Sequence, residues 1–80
     1  MKEVPLKLNE ISQVISLAHV LSGLHDDFDL KCDHFVVDAK SVMGMLSLNL
    51  NNPLTLIIHK DNDLIISFVT QELREIGALA

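Results

Sequence analysis

Residues 27–39 read Asp27-Phe28-Asp29-Leu30-Lys31-Cys32-Asp33-His34-Phe35-Val36-Val37-Asp38-Ala39, and they decide the fold. Alternation over Asp27 to Cys32 marks a half-buried strand, with Phe28, Leu30 and Cys32 directed inward. Asp33-His34 leaves room only for a short connection, although it is not one of the dipeptides that strongly favour hairpin turns. Phe35, Val37 and Ala39 then continue the inner face of the returning strand. Strands joined this way are antiparallel, and their alternation leaves one face of the sheet to be covered and the other solvated.

On the N-terminal side, Lys2 to Leu8 also alternates, with Val4, Leu6 and Leu8 on one side. Pro5 has no N–H to give to a ladder, so this strand is expected at a sheet edge or to pair poorly at that point. Asn9 is a good N-cap residue. Ile11, Val14, Ile15, Ala18, Leu21 and Ser22 follow at helical spacing, predicting a helix from Glu10 to Ser22 that Gly23 ends. On the C-terminal side, Ser41 can cap a short helix, Val42 to Leu48. Gly44 lies inside it, where a glycine costs about 1 kcal/mol relative to alanine, so a close approach or a tolerated break is expected there. Asn49 to Pro53 is a loop, and Leu54 to His59 is an apolar strand. Asp61, Asn62 and Asp63 offer caps for a final helix carrying Ile65, Phe68, Val69, Leu73 and Ile76, which Gly77 closes. The order is β-α-β-β-α-β-α. It predicts a two-layer α/β open-faced sandwich: a mostly antiparallel four-stranded sheet with three helices on one face.

The composition narrows the function classes. Eighty residues hold a single domain, 1–80, that can bury only about 60% of its unfolded surface. With 49% hydrophobic and 21% charged residues the chain is globular rather than disordered. Six Lys and Arg stand against eleven Asp and Glu, a formal charge of −5. That balance argues against nucleic acid and against an anionic membrane as partners, since both require a basic surface. No apolar run reaches the length of a membrane span. The opening Met1-Lys2-Glu3-Val4-Pro5 has no apolar signal-peptide stretch, and one cysteine cannot build a disulfide framework. A cytoplasmic location is the resulting expectation.

Residues 38–48 read Asp38-Ala39-Lys40-Ser41-Val42-Met43-Gly44-Met45-Leu46-Ser47-Leu48. This run resembles the regulatory-site motif of the HPr family, the small phosphocarrier proteins of the bacterial sugar phosphotransferase system. In that family Ala-Lys-Ser is followed by an apolar residue, Met-Gly, two apolar residues and Ser-Leu, and each position is matched. The element order is also that of the family. The resemblance implies Ser41 as a regulatory phosphorylation site for a serine kinase, and Val42, Met43 and Leu46 as a partner-docking surface. Methionine suits such a surface because it is unbranched and polarisable.

The family's other signature, Gly-apolar-His-Ala-Arg-Pro at the start of the first helix, is absent. Counting back without gaps from Ser41, the phosphoryl-accepting position falls on Glu10, the Arg position on Ser12 and the Pro position on Gln13. A slip of register does not restore the motif, because no histidine precedes His19. A phosphohistidine needs an imidazole nucleophile, helped by helix N-terminal N–H groups and a guanidinium. A carboxylate at Glu10 suits the helix dipole but repels an incoming phosphoryl group.

The remaining chemistry-bearing residues are scattered. His19 lies on the first helix, His25 and His34 in turns, and His59 at the end of a strand. Cys32 and His34 are two apart, yet a structural metal site needs four ligands, so no metal and no cofactor is assigned. The chain is therefore read as a non-enzymatic, HPr-like regulatory or interaction domain. Its implied partners are proteins, a serine kinase or a phosphotransferase-system protein. Two rivals differ in class: a phosphocarrier with a displaced acceptor, and a structural module that forms a homodimer.

Overall fold

A computed structural model describes all residues, 1–80. Seven elements follow in the expected order: β1 (Lys2–Leu6), α1 (Ile11–Ser22), β2 (Phe28–Cys32), β3 (Phe35–Asp38), α2 (Val42–Leu46), β4 (Leu54–Ile58) and α3 (Asp63–Ile76). The strands form one sheet in the order β1-β4-β2-β3. All three pairings are antiparallel. The helices cover one face, with α1 in contact with both α2 and α3.

Strand register sets which side chains are covered. Leu30 lies opposite Val37 on one side and Leu56 on the other, and Leu56 in turn opposes Val4. Cross-strand partners share a face, so this row carries the core through the sheet. The core has 18 buried residues and every one is apolar; no charged or polar side chain is buried. Pro5 sits on the edge strand β1, where its missing N–H is harmless. The C-terminal residues partly close that edge: Lys7 N–H donates to the Ala78 carbonyl at 2.7 Å, and Ala80 N–H donates to the Pro5 carbonyl at 3.3 Å.

The helix ends show why each stops where it does. Gln13 Oε1 accepts from Asn9 N–H at 2.7 Å and from Glu10 N–H at 3.1 Å. This draws Glu10, rather than Asn9, into the N-cap position of α1. Asn62 is the cap of α3, accepting from Leu64 N–H at 2.9 Å and Ile65 N–H at 3.3 Å. Gly77, at φ 81°, closes α3. Its N–H reaches Arg74 O and the Ala78 N–H reaches Leu73 O, the double bond of a Schellman end. Gln13 Nε2 also donates to the Ile76 and Gly77 carbonyls, both at 3.3 Å, tying the start of α1 to the end of α3.

Five expectations are corrected. β1 ends at Leu6, and Leu8 is buried beyond it in the link to α1. The buried stripe of α1 is Val14, Leu17, Ala18 and Leu21, whereas Ile11 and Ile15 are 61% and 51% exposed. Phe35 has the inner-face parity of its partner Cys32 but is 69% exposed, because β3 is an edge strand and no helix extends over its start. Phe68 of α3 is likewise largely exposed, while Val69 and Leu73 fill the core. α2 is shorter than predicted, ending at Leu46, where Ser47 N–H folds back onto Met43 O and Gly44 O and Ser47 Oγ donates to Gly44 O at 2.6 Å.

Candidate functional site around Ser41 and the second helix

The β3–α2 connection is built from local hydrogen bonds. Asp38 Oδ1 accepts from Lys40 N–H at 2.9 Å, and Asp38 O accepts from Ser41 N–H at 3.0 Å. Ala39 N–H donates to Phe28 O at 3.0 Å, which anchors the turn to the neighbouring strand with the Ala39 side chain fully buried. These bonds set Ser41 in an extended conformation at the N-cap of α2, where its Oγ accepts from Gly44 N–H at 3.0 Å.

Gly44 occupies the site for a steric reason. A Cβ there would stand 3.1 Å from Ser41 Oγ and 3.3 Å from Ser41 Cβ, so an alanine would press on the capping side chain itself. The cap and the glycine are one unit, and the close approach expected from the sequence is to the serine.

The apolar residues of α2 divide by direction. Met45 is fully buried, and Val42 is half-buried against the core. Met43 is 85% exposed and Leu46 41% exposed. Of the three residues expected to form a surface, two are therefore open to solvent and Val42 contributes only its outer edge.

Sequence reading missed the apolar side chains that α1 leaves uncovered. Gln13 marks the flank of α1 that meets α3. Ile11 and Ile15 are each two residues from Gln13, and each residue turns a helix by ~100°, so both are turned away from the Gln13 side chain; Ile15 borders an open groove with Glu72, Glu75 and Ile76 of α3. The signal was present in Leu17: with Val14, Ala18 and Leu21 it forms a second stripe that competes with the one through Ile11 and Ile15.

Lys40 does not reach toward the Ser41 hydroxyl. Its ammonium donates to Leu24 O at 2.6 Å and lies 5.8 Å from the centroid of the Phe28 ring. At the start of α1, Glu10 is exposed and its Oε2 accepts from Ser12 Oγ at 3.2 Å. The one arginine of the chain, Arg74, donates to Gln71 on α3 at 2.9 Å. No imidazole or guanidinium thus stands at the opening turn of α1.

The histidines remain apart. His59 Nε2 lies 2.6 Å from Asp29 Oδ2 on the rim of the sheet, and His19, His25 and His34 are exposed. Cys32 is buried, with its thiol donating to Asn49 O at 3.5 Å. No three His, Cys, Asp or Glu side chains converge on a point where an ion could sit. No helix is long and apolar enough to cross a membrane. Neither a protein-family model nor a curated protein matches the chain.

Proposed function

We propose that this chain is an HPr-like regulatory or protein-interaction domain of the phosphotransferase-system type, acting in the cytoplasm without a phosphohistidine. The observation that carries the proposal is the pairing of a helix-capping Ser41 with an uncovered apolar surface, Met43 and Leu46, on the same short helix. Val42 forms the margin of this surface. The residues match the HPr serine motif, while Glu10 stands where that family has its phosphorylated histidine. In this reading the domain is neither an enzyme nor a competent phosphocarrier.

Regulation follows from charge. A phosphoryl group on Ser41 brings about two negative charges and strong acceptors to the first turn of α2. It stays compatible with the helix, because the free N–H groups there favour an anion. It also places charge beside Met43 and Leu46, so a partner that buries these side chains must desolvate it. The result is a change of partner without a change of fold.

Two incubations test the proposal. With phosphoenolpyruvate and the first enzyme of the phosphotransferase system, no stoichiometric acid-labile phosphate is expected, and its appearance would overturn the assignment. With ATP and an HPr serine kinase, acid-stable phosphate is expected on wild-type protein and not on Ser41→Ala.

A further inference from the structure

The two edges of the sheet differ. β1 is partly closed by the C-terminal residues and interrupted by Pro5, whereas β3 carries exposed apolar side chains on both faces: Phe35 on the helix side, and Val36, 53% exposed, on the other. β2 and β3 are joined by a two-residue turn, with Asp33 at φ 55° and Cys32 paired to Phe35. Residues flanking such a turn direct their main-chain groups at each other, and alternation then turns the N–H and C=O of Val36 away from β2. No turn, loop or cap bond engages Val36. Beside this edge, on the helix side, lies a groove of about 420 Å³ lined by Cys32, Phe35, Val37, Leu48, Asn49 and Asn52 among others.

We propose that the occupant of this edge and groove is a second copy of the chain, paired β3 to β3 around a two-fold axis at Val36. Strand geometry and charge select the register. Opposed residues must share a face, so their numbers must sum to an even value. Centring on Val36 makes it a hydrogen-bonded pair with its own equivalent, and brings His34, the turn residue that precedes β3, near Asp38 of the second copy twice over. Moving the centre to Val37 would instead oppose Asp38 to Val36 of the second copy and leave its carboxylate with an apolar side chain across the strand. The Val36 register also puts Phe35 of each copy across from Val37 of the other, which lines the groove. One exposed phenylalanine thus enters one groove in each direction, as a self-complementary interface requires. The proposal is independent of the HPr-like reading, because neither Ser41 nor the α2 surface takes part.

Sedimentation equilibrium of the intact chain over a range of concentrations is expected to show a mass rising from 8.9 kDa toward twice that value. Monomer at every soluble concentration would overturn the proposal. Val36→Cys tests the register. Hydrogen-bonded antiparallel partners have Cα atoms about 5.5 Å apart, within disulfide reach. Oxidation should therefore link Val36→Cys into dimers much faster than Ser67→Cys on the remote face of α3, and equal rates would overturn it. His34 is an exposed turn residue, so its charge can be changed while circular dichroism checks the fold. His34→Lys should tighten and His34→Glu weaken the dimer, each by about fivefold for two cross-strand charge pairs. A dimer indifferent to both uses a different surface. If β3 instead binds an extended segment of another protein, the chain alone will sediment as a monomer, which also refutes self-pairing.

Discussion

Ser41 shows how one hydroxyl can serve both stability and a proposed switch. Its Oγ satisfies the Gly44 N–H, one of the donors that a helix start leaves unpaired. Ser41→Ala should cost about 1 kcal/mol in urea denaturation, the usual loss for an N-cap. Ser41→Asp should keep most of that stability, because aspartate caps as well as serine does. If the α2 surface binds a partner, the aspartate variant should nevertheless bind differently from wild type at equal stability. The sequence predicted the capping role correctly, since a cap depends on residues within one turn. It did not predict that Gly44 would be held against the same side chain.

At the scale of the element, α2 is a five-residue helix with an inside and an outside. Met45 anchors it in the core; Met43, two residues away, points to water. Met45→Ala should lose 2–5 kcal/mol on chemical denaturation, as large-to-small core changes do. Met43→Ser should leave stability within about 0.5 kcal/mol, as at an open surface site. A matched loss of stability in both variants would mean that Met43 is covered in solution. The α1 helix teaches the same distinction. Two apolar stripes overlap on it, and periodicity alone could not say whether Ile15 or Leu17 turned inward. The decision came from the packing of α1 between α2 and α3, with Gln13 fastened to the end of α3.

For the whole molecule, the central strands β2 and β4 share the fully buried row of Leu30 and Leu56, whereas β1 and β3 lie outside them. Opening free energy follows burial and contact. Amide exchange should therefore be slowest in β2 and β4, with Val36 of β3 among the fastest strand amides in dilute protein. Protection of Val36 that grows with protein concentration would accompany self-pairing.

Local order determined much of this protein. Alternation, caps and closing glycines identified all seven elements and their sequence, because each depends on neighbours along the chain. Ser41 was legible as a cap in the same way, whereas a surface of Val42, Met43 and Leu46 was implied only by the family resemblance of residues 38–48. Only the tertiary structure decided that β4 lies between β1 and β2, that Phe35 escapes cover despite its inward parity, and that Ile11 and Ile15 remain outside. Exposure of an apolar side chain depends on whether another element reaches over it, and that is a property of strand order and helix placement rather than of spacing.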